Sequence, residues 1–530
     1  MPAATRAAPQ RAGDGFILAS GGPFPRFAAQ NTPSWRGPTF AQSPPAWGCL
    51  DRPRRGDNAA MNRLVHSERR QRLAHLLREA GGGVAILPTA PERIRNSDIH
   101  HPYRHDSHFH YLSGFDEPVS WLVVRSDGHS VLFCRTPNPE REIWDGLRLG
   151  PEAAPAALGV QEALPVERLD ELLPPMLHGQ PAVWSLFEAA EDDERRLSGW
   201  LAAVRAQARH GVEGPATRRD LAPLLDEMRL VKDAGELDTM RQAARISAQA
   251  HTRAMRFCAR RFAASPEGGV HEYEVEAELL HEFRRRGAQG PAYATIVAAG
   301  ANACVLHHTA GRTELRAGEL CLVDAGCELD GYASDITRTF PADGRFTGPQ
   351  RELYDIVLAA QEAAVAATRP GQRQRAAHDA AVRVLSQGLL DTGLLDRSTH
   401  GLVDDVVASA AYRTFYMHGT GHWLGRDVHD VGDYLALDEA PVEQPDGLGR
   451  TVVRKPSRVL RPGMVVTLEP GLYVRPGPGV PAPYWNIGIR IEDDAVVTQT
   501  GCELISRDVP VQARDIEALM AEAAASEPRP

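Results

Sequence analysis

Four acidic residues sit where a folded chain ordinarily keeps apolar ones. Asp324 ends the run GELCLVD, Asp335 lies within YASDITRTF, Glu469 follows MVVTL and precedes Pro470-Gly471, and Glu492 interrupts the alternating strand IGIRIEDDAVV. An unpaired charge in such a setting costs several kcal/mol, so each acid calls for a positive partner. Imidazoles are at hand in FYMHGTGHWLGRDVHDVG, where His418, His422 and His429 alternate with Gly419, Gly421 and Gly425, small residues that let backbone pack closely beside a site. A lone histidine there is more often a core residue than a ligand. Four carboxylates with one imidazole are a different object: roughly -4 of acid charge offsets roughly +4 from two divalent cations, and hard oxygen donors favour manganese, cobalt or magnesium over a thiolate-type zinc.

Two of the acids must be brought together by one hairpin. Between Gly318 and Phe340 two strand-like runs flank Asp330-Gly331, the signal of a two-residue turn. If Leu329 faces Tyr332 across it, Asp324 faces Thr337, and Asp335 lies diagonal to Asp324 on the same sheet face with Cβ atoms ~7 to 8 Å apart. That separation suits side chains converging on metal ions ~3.5 to 4 Å from each other. For the Asp pair alone the plainer reading is a salt bridge to Arg338 or exposure to solvent; the further acids in similar settings outweigh it.

The rest of the chain divides by pattern. Residues 1–60 are rich in Pro, Gly and Ala without helical or strand periodicity, and are expected to be a disordered extension or the product of a misassigned start, with a helix opening at Met61. Residues 61–230 mix helices with the short apolar runs GVAIL, SWLVVR, HSVLFC and PAVWSL, a small α/β domain of its own. A stretch of low periodicity, Gly211 to Arg219, leads to a long amphipathic helix over about Glu236 to Phe262. From residue 231 to 530, helices and antiparallel strands share one domain, so the class is α+β.

Taken in order, VDAGCELDGYASDITRTFP, FYMHGTGHWLGRDVHDVG, LEPGLY and GIRIEDD resemble the metal-dependent Xaa-Pro aminopeptidases (aminopeptidase P) over nearly all of Met61 to Glu517, and HPYRHDSHFHYLSGFDEP is similar to that family's N-terminal domain. The resemblance implies a "pita-bread" catalytic domain and two divalent metals, manganese by preference, held by Asp324, Asp335, His422, Glu469 and Glu492, with Asp335 and Glu492 bridging. It implies that Glu469 shuttles protons, that His418 and His429 meet the tetrahedral intermediate, and that His307 lines the substrate site. It further implies that Arg490 and Tyr434 orient ligand carboxylates from behind, that Trp144 can approach a neighbouring subunit's site in tetrameric members, and that the chain forms a homo-oligomer, dimer or tetramer. For Trp144 a core position is at least as plausible, and neighbouring His308 has no role assigned. The substrates would be peptides with an Xaa-Pro N-terminus. Prolidase, which cuts Xaa-Pro dipeptides with the same ligands, is the close alternative, and Trp423 leans away from it; a pita-bread binding protein without catalysis is the distant one, expected to have lost ligands. The stretch LALDEAPVEQPDGLGRTVVRKPS, between Tyr434 and Arg461, exceeds the length expected in the family and is read as a surface loop rather than a rim limiting peptide length.

Composition narrows the remaining classes. With 59 Lys+Arg against 69 Asp+Glu the formal charge is -10, which offers no basic footprint for nucleic acid. No segment approaches the ~18 to 20 apolar residues of a membrane helix. Seven cysteines without a C-x-x-C spacing argue against a disulfide framework and fit a reducing, cytoplasmic setting.

Overall fold

The computed structural model describes residues 55–526, apart from 189, 267, 268 and 447. The disorder expected of the N-terminal extension therefore lies outside the described residues up to residue 54, whereas residues 55–60 are helical: the first helix is Arg55–Glu79, opening before Met61. Its buried Leu73, Ala74 and Leu77 seat it on a six-stranded mixed sheet. In that sheet Val84–Pro88 pairs antiparallel with Trp121–Arg125 and parallel with Ala182–Ser185.

Strand periodicity explains why these apolar runs are continuous rather than alternating. Ala85 and Leu87 face one core with Leu122, Val124 and Leu132, whereas Val84 and Ile86 face another with Trp121, Val123, Phe133 and Trp200. A sheet covered on both faces needs apolar residues at every position. The edge strand Thr217–Asp220 departs from the expected patternless stretch: its TRRD sequence carries no apolar alternation because the strand is half exposed.

The first of these cores ends at Met228, and Leu230 already belongs to the large core of the C-terminal half. The helix Ala234–Ala264 opens that half with a capping box between Asp233 and Glu236. Its small buried residues Ala243, Ala244, Ser247, Ala248, Ala250 and Ala254 allow close approach, and Ser247 Oγ lies 2.7 Å from Ser334 Oγ of the predicted hairpin. Helices Gly348–Ala367 and Arg375–Asp391 pack together. Strands and helices share one core, as the α+β assignment requires.

The segment read as a plain loop is instead a hairpin, Val442–Pro445 paired with Thr451–Arg454. Its turn is organised by Asp446, whose carboxylate accepts from the Leu448 and Arg450 amides. Below it a neck closes the chain: Leu435 bridges Ser457, Ala436 N–H donates to the Pro456 carbonyl, and Arg373 pairs with Glu439.

Candidate metal centre and active site

The predicted register holds. Leu329 pairs with Tyr332 and Asp324 with Thr337. Between these two ladders regular pairing lapses, and Asp335 lies in the lapse, opposite Gly326. A Cβ on Gly326 would meet the Ser334 carbonyl oxygen at 1.6 Å, so the close crossing at this point admits only glycine. A second antiparallel pair behaves alike: Val465–Leu468 pairs with Asp493–Val497 and Gly471–Val474 with Ile487–Arg490. Continuing the register from either side places Glu469 opposite Glu492. Three of the four acids thus occupy interruptions in otherwise regular ladders, where side chains can turn inward.

The two pairs are stitched to each other. Glu492 N–H donates to the Thr337 carbonyl, Thr337 Oγ1 donates to Glu492 Oε2 at 2.6 Å, and Thr339 Oγ1 donates to the Arg490 carbonyl at 3.0 Å. His422 arrives from the side: Thr467 N–H donates to the His422 carbonyl and Glu469 N–H to that of Thr420. Gly421 is obligatory there, since a Cβ would lie 1.8 Å from the Thr467 carbonyl oxygen.

The acids and His422 therefore converge. Asp335, His422 and Glu492 each offer a ligand atom within 4.8 Å of the others. His422 Nε2 stands 3.4 Å from Asp335 Oδ2 and 3.8 Å from Glu469 Oε1, while its Nδ1 lies 2.9 Å from the Trp423 carbonyl. A carbonyl only accepts, so Nδ1 carries a hydrogen, which fixes the ring with Nε2 as the atom turned toward the acids. Arg490, buried, donates to Asp324 Oδ2 at 2.5 Å, to the Tyr473 hydroxyl at 3.1 Å and to Thr337 Oγ1 at 3.1 Å. Arg338 turns away and pairs with Asp493, which removes the plain salt-bridge reading of the Asp pair.

Burial raises the Asp324 carboxyl above its ordinary range, with Asp335 adding to the shift and Arg490 opposing it. Glu469 is pushed up to about 7 by burial, and Glu492 well above its usual range by burial and then by Asp335, Glu469 and Asp324. Burial lowers His422, but Asp335 and Glu469 outweigh it and raise the ring to about 9. The donor set fits dications by its own chemistry. Facing carboxylates such as Glu469 and Glu492 repel, and the single proton of the Tyr293 hydroxyl meets two acceptors, Asp324 Oδ1 and Asp335 Oδ1, each 2.6 Å away. Arg490 and His422 alone leave these acids short of positive charge.

A second convergent group, His105, His110 and Asp116, fits a cation poorly. Arg426 donates to His110 Nδ1 at 2.5 Å, so the ring's hydrogen is on Nε2, which donates to Asp116 at 2.8 Å and has no lone pair to give.

The other predicted residues are placed as follows. His418 is held by Tyr473: Nδ1 donates to the Gly419 carbonyl at 2.7 Å and Nε2 accepts from the Tyr473 hydroxyl at 2.8 Å, with Glu469 Oε2 3.6 Å from Nδ1. Burial lowers His418 to about 3 and keeps it neutral. The His429 ring meets that of His422 edge-on at 4.3 Å. His307 is exposed. Tyr434 corrects its expectation: its hydroxyl accepts the Trp423 N–H at 3.0 Å and its ring stacks on Trp423, so it braces backbone beside His422 and touches no ligand carboxylate. Trp144 is 83% exposed beside Ile143 and Leu147, which excludes the core alternative. Sequence reasoning missed Tyr293, Tyr473 and the buried Asp494, whose carboxylate accepts the Asp335 N–H at 3.2 Å. Only Asp494 left a signal, as the third acid of IEDD.

Comparison with known proteins decides the family. The profile described as "Metallopeptidase family M24" matches residues 238–499, and "Aminopeptidase P, N-terminal domain" matches 66–184. The Xaa-Pro aminopeptidase of Escherichia coli (strain K12) is 43% identical over 467 residues, which cover 87% of this chain and 99% of that protein. The chain belongs to metallopeptidase family M24. Solved structures similar to this M24 peptidase include an aminopeptidase of Pseudomonas aeruginosa, 44% identical with TM-score 0.79, and a substrate-bound variant of E. coli aminopeptidase P, 42% identical with TM-score 0.79. Each match covers 88% of this chain and 99% of the other. The C-terminal half is accordingly the pita-bread fold, preceded by the smaller α/β domain, and membership of M24 implies divalent metal ions.

Proposed function

We propose that this chain is a manganese-dependent aminopeptidase that removes the N-terminal residue from peptides with proline in second position. The convergence of four acids and His422 on one buried point carries the reading. Asp324, Asp335, His422, Glu469 and Glu492 would hold two ions; oxygen donors outnumber nitrogen four to one, which favours manganese over zinc. When bound, such ions activate water near neutral pH and polarise the scissile carbonyl.

The residues supply the rest. Proline's nitrogen has no hydrogen in a peptide bond, so the bond's amide offers no N–H for an enzyme to grip and leaves only once protonated. Glu469 would take the proton of the attacking water and return it to that nitrogen. His429 and His418 flank His422 and Glu469 and would meet the tetrahedral intermediate, His418 by releasing one of its present partners. His307 would line the proline side. Arg490 holds Asp324, and Tyr473 links Arg490 to His418, so the acids keep their orientation.

Similarity to the Xaa-Pro aminopeptidases of Escherichia coli and Haemophilus influenzae favours aminopeptidase over prolidase. The decisive experiment compares Xaa-Pro-Xaa-Xaa peptides with Xaa-Pro dipeptides in the presence of Mn2+. Release of Xaa from the longer peptides, lost with chelator and regained with manganese, is expected; cleavage confined to dipeptides selects prolidase. Glu469→Ala should fold but abolish turnover, and near-normal activity would refute its role.

The exposed Ile143, Trp144 and Leu147 support a homo-oligomer in which Trp144 approaches a neighbouring subunit. Six cysteines among the described residues are free, which suits a cytoplasmic setting. No described helix is long and apolar enough to cross a membrane.

A further inference from the structure

Glu272, the first residue of the helix Glu272–Arg285, has a fully buried carboxylate. It accepts from the Ala299 amide at 2.9 Å, Asn302 Nδ2 at 2.8 Å, His308 Nε2 at 3.0 Å to both oxygens, and the Gly311 amide at 2.9 Å. All four donors belong to the segment 299–311, which carries His307 at its exposed edge. Among the described ion pairs, His308 is the one ionisable group that meets Glu272. Both carboxylate oxygens only accept, so His308 Nε2 bears the hydrogen and the ring is fixed in orientation. Burial raises Glu272, yet the Ala299 amide, His308, Asn302 and the Gly311 amide together hold it below its ordinary range, as an ionised anchor. From the other side Arg475 donates to the Cys304 carbonyl at 2.6 Å.

We propose that Glu272 and His308 are positioning residues for His307, fixing the segment so that His307 faces His418 and His429. The inference rests on the reading of His307 as a substrate-site residue. A ring next in sequence to His307, tied to a buried anion, sets the backbone from which His307 projects; a displacement of ~1 Å at such a residue is enough to cost up to about a hundredfold in rate.

The test uses the full-length manganese-loaded enzyme and an Xaa-Pro-Xaa-Xaa peptide. His308→Leu is expected to lower kcat/KM about tenfold, mainly through KM, with Mn2+ affinity by calorimetry unchanged. His308→Gln, which keeps an N–H donor, should recover to within about threefold of wild type. The double variant His307→Ala/His308→Leu should be no slower than His307→Ala alone. Additive losses in the double variant, or a His308→Leu enzyme equal to wild type, overturn the proposal. If His308→Leu does not fold, Asn302→Ala, which removes another donor to Glu272, takes its place with the same criteria. Should the wild-type protein cleave no such peptide, the functional reading fails on its own. Hydrogen exchange then decides the positioning: faster exchange of the Ala299 and Gly311 amides in His308→Leu supports it, and unchanged exchange overturns it.

Discussion

At the level of single side chains, the proposed ligands betray themselves by being charged where their neighbours are apolar. Asp324, Asp335, Glu469 and Glu492 could be picked out for that reason alone. The residues that aim them could not. Tyr293 and Tyr473 are aromatic residues in apolar surroundings, a pattern any core produces, and only the fold reveals that their hydroxyls serve Asp324, Asp335, Arg490 and His418. Tyr293→Phe removes the donor shared by Asp324 and Asp335 while leaving the ring in place. Mn2+ affinity measured by calorimetry is expected to fall about 10- to 100-fold, with the circular dichroism spectrum unchanged. Tyr434→Phe should instead leave affinity within about threefold, because its hydroxyl meets a backbone N–H and no ligand.

Among strands and turns, the Asp330-Gly331 turn and period-two alternation were enough to set the register that puts Asp324 across from Thr337. IGIRIEDDAVV reads as one continuous strand, and so concealed the interruption at Ile491 and Glu492 that separates Ile487–Arg490 from Asp493–Val497. Polar strands were hidden for the opposite reason: Thr217–Asp220 and the 442–454 hairpin are too exposed to need apolar positions. Because Gly326 lies against the Ser334 carbonyl, backbone that cannot swing aside, Gly326→Ala should cost about 3 kcal/mol or more in urea unfolding and lower metal binding in parallel. A neutral outcome would mean that the crossing beside Asp335 is looser than the ladder geometry requires.

Across the molecule, the two halves are joined by charge that no local pattern announced. Arg229 and Lys232, at the end of one core and the start of the next, both pair with the buried Asp430, and Arg229, Arg104 and Ser107 reach Asp427, two residues before His429. The block HPYRHDSHF was recognisable as an N-terminal feature; that it grips the segment bearing His429 was not, since its partners lie some three hundred residues further along the chain. Burial raises Asp430, but Lys232 and Arg229 outweigh it and bring its pKa to about 2. A depressed pKa stabilises the fold above the ordinary carboxyl value, and the contribution is lost as pH falls from about 4 towards 2. The amount is roughly 2 to 3 kcal/mol, readable from urea midpoints across that range. Asp430→Asn should flatten that part of the profile and destabilise the protein at pH 7 by about 3 to 5 kcal/mol, because two buried cations lose a partner.

The neck beneath the 442–454 hairpin has a practical corollary. Since Leu435 and Ser457 are already clasped there, the spacing of His422 from Glu469 in space is insulated from however much polypeptide leaves and returns above the clasp. A reporter or affinity module could be grafted at the tip of this appendage, and natural variants could lengthen or trim it, with the chemistry beneath undisturbed.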